Sequence, residues 1–244
     1  MDKLALTLAI LALAIGGVGY WRSGGQQDVA AASEKIEEEV EELRIKQKRL
    51  AEDVAAMSRA AYTNSQERLR RAKERLVELS KQAGESLQKQ VNTALEGVES
   101  LQERVAESLE STRDTTVAAA REAQQALAQR VRRLEARVDI LQAKLEINRA
   151  LARAEKDDFD EAEEYLREAL SALKEARQTL GNDRTYETQL DEVEDSLLQA
   201  ILAVKERAED TKSRIERVVA NSDTLISILE GDPDELPKVR AISE

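Results

Sequence analysis

The chain has no cysteine and no histidine, two prolines, nine glycines and six aromatic residues among its 244. Each scarcity excludes something. Without cysteine there is no disulfide framework. Without histidine and cysteine there are no imidazole- or thiolate-ligated metal sites, and no nucleophilic triad that uses either residue. The few glycines lack the spacing that cradles phosphate in nucleotide-binding loops. So few aromatics rule out the ring-rich core usual for a chain of this length. What remains is 41% hydrophobic and 35% charged, mostly Ala, Leu and Val interleaved with Glu, Arg, Lys and Gln. That mixture marks long helices and coiled coils, so the fold class is all-α.

The one long apolar run is at the beginning. Leu4 to Trp21 carries no charge and is interrupted in polarity only by Thr7. Eighteen residues of helix span roughly 27 Å, close to the ~30 Å hydrocarbon core of a bilayer. Lys3 precedes the run, and Tyr20, Trp21 and Arg22 close it with rings suited to the headgroup level. A cleaved signal would need a small-residue site directly after the run. Ala30-Ala31-Ala32 lies too far along for that. Residues 1–22 are therefore expected to be an uncleaved transmembrane anchor in contact with lipid, with its edge at Lys3, Tyr20, Trp21 and Arg22. The positive charges flanking it are nearly balanced, so the positive-inside rule favours export of the bulk only weakly.

Gly24-Gly25-Gln26-Gln27 reads as a flexible joint over residues 23–28. No proline follows until the end of the chain. Ile36, Val40, Leu43, Gln47, Leu50, Val54, Met57 and Ala61 alternate by four and three, a heptad seam with a polar residue in one core slot. Beyond Tyr62 an eleven-residue period takes over: Leu76, Leu87, Val98, Leu109 and Ala120 form one row. Ala83, Ala94, Val105, Thr116 and Leu127 form a second. That period straightens a supercoil or gives it a right-handed twist. Heptads return with Leu127, Val131, Leu134, Val138, Leu141 and Leu145. The expectation is a coiled-coil rod over residues 29–143. One helix through residue 156 would be roughly 190 Å long. Isolated helices are marginal, so the two heptad blocks are expected to form a homo-oligomer, unless the last helix folds back to cover part of the rod.

Eleven-residue repeats also occur in helices that lie on lipid, usually with basic polar faces and bulky apolar ones. Residues 69–127 carry nine Lys/Arg against ten Asp/Glu and no aromatic, which favours the coiled coil. The missing basic excess also argues against a nucleic-acid partner.

Residues 144–231 read as an acidic helical hairpin domain, followed by a tail over 232–244. Asp158 can cap a helix, with Glu161 completing a capping box. The run Asp157 to Glu164 lacks the central glycine and late glutamate of a calcium loop. The helix continues through Ala162, Leu166, Ala169, Leu173, Ala176 and Leu180 and stops at Gly181. A last helix is expected from Asn182-Asp183-Arg184-Thr185 to Gly231.

Asp158-Phe159-Asp160-Glu161-Ala162-Glu163-Glu164-Tyr165, with Ala169-Leu170, resembles the turn and second helix of a tetratricopeptide repeat. The resemblance covers about 25 residues and implies close helix approach at Ala150, Ala162 and Ala169. Arg149 and Arg153 stand where that family has apolar residues, Asp157 at its turn glycine and Lys174 at its closing proline. One repeat cannot bury its own faces, so a single hairpin of this style is implied and not an array. The order of anchor, coiled coil and helical hairpin resembles the HemX-type proteins of bacterial inner membranes. That resemblance implies a non-enzymatic protein with its bulk in the periplasm.

Residues 155–210 hold eighteen Asp/Glu against seven Lys/Arg, eleven of the chain's net −12. Carboxylates on solvated helices ordinarily pair with Lys or Arg three or four residues away. A surplus this large can also steer a basic partner. Partner-binding candidates are Glu163, Glu164, Tyr165, Tyr186, Glu187 and Glu194. No catalytic, cofactor-binding or metal-binding residue is expected. The function expected is that of a membrane-anchored scaffold or tether presenting this acidic head to a protein partner. The alternative is a membrane-remodelling helix lying on lipid.

Overall fold

The computed structural model describes residues 26–111, 117–181 and 184–231. The apolar run, with Lys3, Tyr20, Trp21 and Arg22, lies outside the described residues, as does the tail 232–244. Among the described residues there are six α-helices and no strand: α1 (Gln26–Gln82), α2 (Glu85–Ser111), α3 (Val117–Ala154), α4 (Phe159–Leu180), α5 (Arg184–Glu206) and α6 (Thr211–Glu230). None of them is long and apolar enough to cross a membrane. Contacts divide the chain into two units, residues 1–57 and 58–244.

In the first unit α1 starts at Gln26, inside the expected joint, because glutamine and the alanines that follow are ordinary helix formers. Every described side chain from Glu38 to Ala61 is exposed. Among them are seam residues Val40, Leu43 and Met57 at 38%, 55% and 67% exposure.

The second unit corrects the expectation of one continuous rod. The first helix ends at Gln82, and α2 restarts at Glu85 beyond Ala83-Gly84. Glycine weakens a helix at this point, and the chain reverses: Lys73 pairs with Glu99 at 2.9 Å, and Gln88 donates to Ser80 Oγ at 2.8 Å. Residues 68 and 82 of α1 meet 135 and 149 of α3, a constant offset of 67, so these two helices run parallel. Arg137 meets Glu230 and Lys144 meets Asp223, so α6 runs antiparallel to α3. Helices α1, α2, α3 and α6 thereby surround one seam.

The eleven-residue rows point into that seam. Leu76, Leu87, Val98, Ala94 and Val105 are all buried, together with Leu69 and Val91. The second heptad block is covered as well: Leu127, Val131, Leu134, Val138, Leu141 and Leu145 share the core with Leu173, Leu190 and Leu225. Each such side chain contributes about 1.5–3 kcal/mol by leaving water. The cover for this block is the chain itself. The expected boundary at 143/144 falls inside α3, with Leu141 and Leu145 in one core.

A second core lies at the other end of α3. Ala150, Ala154, Ala162 and Ala169 are fully buried, and α3 and α4 form the most extensively packed helix pair of the fold. Asp157 takes a left-handed conformation, φ 59°, and Asp158 N–H donates to Arg153 C=O at 3.0 Å, a Schellman end to α3. Asp158 then caps α4 by accepting from Glu161 N–H at 3.5 Å, and Gly181 ends it at φ 65°. The expected single last helix is two. Arg207 adopts φ 52° and Ala208 N–H donates to Ala203 C=O at 2.9 Å, a second Schellman turn made without glycine. Thr211 then donates its hydroxyl to Ala203 C=O at 3.1 Å, fixing the start of α6.

Candidate functional site

The six partner-binding candidates do not form one surface. Tyr186, at the start of α5, is 1% exposed and belongs to the first core, with the Arg133 guanidinium 5.8 Å from its ring centroid. Tyr165 packs against the second core, with Arg149 at 5.9 Å from its ring. These two aromatics therefore act in packing, in separate clusters, where ring and guanidinium attract each other. Phe159 likewise packs against the second core beneath Arg207.

Of the four glutamates, Glu163 is held by Arg167 one turn on, at 2.5 Å. Glu194 shares the Arg177 guanidinium with Asp191 at 2.9 and 2.7 Å, tying α5 to α4. Those two anions raise the Arg177 pKa above its ordinary value, the Asp191 hydrogen bond most of all. Glu164 and Glu187 are exposed and in no ion pair among the described residues. The acidic surplus is thus partly neutralised in place and partly free. The two arginines that depart from the tetratricopeptide pattern have structural partners. Arg153 bonds Glu161 at 2.9 Å, and Arg149 bonds Glu146 at 2.9 Å and Gln82 at 2.7 Å.

Two clefts flank α3. The larger, 450 Å³, lies between α1, α3 and α4. Its three arginines, Arg68, Arg71 and Arg75, come from successive turns of α1. Three carboxylates, Glu135, Asp139 and Glu175, also line it. Arg68 pairs with Glu135 and Arg75 with Asp139, while Arg71 pairs with Glu67. Asp139 is 3% exposed, and its carboxylate sits 2.6 Å from Arg75 without an aligned N–H, so burial outweighs the ion pair and raises its pKa. Each of the three arginines of this cleft is thus already in an ion pair.

The smaller cleft, 270 Å³, lies between α2, α3 and the end of α6. Arg104 comes from α2, and Arg130, Arg133 and Arg137 from one face of α3 at spacings of three and four. Among the described residues a single carboxylate, Glu230, lines it and pairs with Arg137. Gly97 of α2 faces Leu134, and a Cβ built there would lie 3.4 Å from that side chain. No sequence signal singled this cleft out. The three α3 arginines are legible as one helical face, but their neighbour Arg104 and the scarcity of acids are set by how α2 folds back.

Among the described residues no group of three or more acidic side chains is placed to hold a metal ion. Comparison with protein-family models, with curated proteins and with solved structures finds no match to this chain.

Proposed function

We propose that the chain is a non-catalytic scaffold, anchored by its first 22 residues in a bacterial inner membrane with its bulk in the periplasm. It pairs with a second copy through the first heptad block and presents an acidic helical head to a protein partner. The observation that carries this reading is the contrast between the two heptad blocks. The seam residues from Leu127 to Leu145 are buried by their own chain, whereas Val40, Leu43 and Met57 stand exposed with no cover among the described residues. An amphipathic helix left this way is stable only against a partner. A second copy in parallel register suits it, because Glu39 of one chain then flanks Arg44 of the other across the seam. Anchors at the same end of both chains favour that direction. The covered eleven-residue rows weigh against the lipid-lying alternative, which would require the core around Leu76, Leu87 and Val98 to open.

The partner surface of the head is proposed to centre on Glu164 and Glu187, whose charge is free, with Glu163 and Glu194 contributing less. The test uses the full chain in a mild zwitterionic detergent. Leu43→Glu with Met57→Glu is expected to turn a dimer into a monomer in sedimentation velocity while helicity is unchanged. A wild-type monomer, or a variant that remains dimeric, would contradict the proposal. The anchor is tested separately by alkaline extraction of membranes: the full chain should stay with lipid, and release into the supernatant would remove it from the account.

A further inference from the structure

We propose that the arginine cleft between α2, α3 and the end of α6 binds a compact anion of the phosphate class. The inference rests on charge that the fold concentrates and does not neutralise. Arg104, Arg130, Arg133 and Arg137 face one space, and Glu230 is the only acid there among the described residues. This excess of three positive charges sits on a chain whose net charge is −12. The larger cleft is a control within the same molecule, lined by arginines and carboxylates in equal number, with each arginine in an ion pair. Arg104, Arg130 and Arg133 are in no ion pair among the described residues.

Burial sharpens the demand for an anion. Arg137 is 6% exposed, and desolvation lowers its pKa despite the Glu230 carboxylate beside it. The Nε atoms of Arg133 and Arg137 are buried and donate to no acceptor of the chain among the described residues. A planar guanidinium fork matches phosphate oxygens two at a time, and a buried one gains more from such a bond than a solvated one. Leu101, Leu134 and Leu229 supply apolar walls, which lower the local dielectric and strengthen the attraction. At 270 Å³ the cleft falls just below the ~300–1,000 Å³ usual for larger organic ligands, so the ligand is small. A phosphate ester in solution and the headgroup of an anionic lipid share this chemistry.

The test titrates inorganic pyrophosphate into the full chain in zwitterionic detergent by calorimetry. One saturable site is expected, and Arg130→Gln with Arg133→Gln should weaken it by at least about tenfold, the loss of one charge-assisted hydrogen bond. Arg71→Gln, in the balanced cleft, should leave affinity unchanged. If the double variant melts early, exposed Arg104→Gln replaces it. A second arm measures flotation with vesicles of phosphatidic acid in phosphatidylcholine. Arginine-dependent flotation without pyrophosphate binding assigns the site to a lipid headgroup and supports the shared chemistry. The proposal is overturned if neither probe binds, or if binding is indifferent to Arg104, Arg130 and Arg133. It is also overturned if binding appears only after D232N/D234N/E235Q, because the chain's own carboxylates would then be the occupants.

Discussion

Lys144 offers an asymmetric perturbation. Its ammonium lies in the middle of α3 with its side chain 4% exposed, between Asp223 of α6 and Gln90 of α2. Gln90 accepts from Lys144 at 2.9 Å and donates to Asp223 at 2.7 Å, so three helices meet in one closed triad. The two charged members are not equivalent, because the Asp223 side chain is 43% exposed. Asp223→Ala leaves a buried ammonium with one neutral acceptor. Breaking a buried pair this way costs ~3–5 kcal/mol, and the surviving Gln90 contact places the loss near the lower end, about 3 kcal/mol. Lys144→Met keeps the length of the side chain, removes the desolvated charge and leaves Asp223 to water, so stability should change by less than about 1 kcal/mol. The double variant should resemble Lys144→Met alone. At ~2–4 °C per kcal/mol for a domain of this size, Asp223→Ala lowers the melting temperature by roughly 6–12 °C. Denaturant titration followed by circular dichroism at a helix band measures all three variants. If Lys144→Met proves as damaging as Asp223→Ala, the ammonium is not buried between α2, α3 and α6, and the fold-back of α6 is wrong.

Gly97→Ala should raise stability by about 0.5–1 kcal/mol, since it sits inside a helix and its new methyl meets Leu134 at ordinary contact distance. A loss in thermal melts would show that α2 lies closer to α3 than described. Asp157→Gly should also stabilise, by about 0.5–1 kcal/mol, because Asp157 holds the left-handed conformation glycine adopts freely. A neutral or negative result would mean that its carboxylate has a role the turn does not reveal. The raised pKa of Asp139 makes its ionisation oppose folding: its contribution falls as pH rises from the ordinary 3.8 through the higher folded value. Asp139→Asn should therefore gain on the wild type as pH increases through that window, and a gap that narrows instead would refute the desolvation argument.

The sequence disclosed the ends of α4 and the apolar seams, because capping and periodicity are local. Asp158 caps and Gly181 stops α4 as their local chemistry implied, while the burial of Ala150, Ala162 and Ala169 is a property of the folded helix pair. It did not disclose what covers a seam. A heptad row, whether Val131 to Leu145 or Val40 to Met57, can face a second chain or a distant part of its own. Only the reversal at Ala83-Gly84, with long-range partners such as Lys73–Glu99, decides for the first of these rows. Gly84 was visible as an interruption, yet one glycine costs only ~1 kcal/mol in a helix and does not by itself announce a turn. The break at Arg207 carried still less signal, since arginine rarely takes a positive φ. For the candidate site, the acidic surplus was legible as composition. Which carboxylates are neutralised was not, because Arg177 reaches Asp191 and Glu194 across a helix pair. The arginine cleft needed the fold-back of α2 to exist at all.

The most direct test of the account is zero-length carbodiimide crosslinking of co-expressed light and heavy-isotope chains, read by mass spectrometry. Lys144–Asp223 and Lys73–Glu99 should appear only as single-isotope products, because the second heptad seam closes within one chain. Crosslinks joining residues 34–61 of two chains should appear as mixed-isotope products under the proposal that the first seam closes on a second copy. Mixed-isotope Lys144–Asp223 products, or an absence of mixed products across residues 34–61, would contradict it.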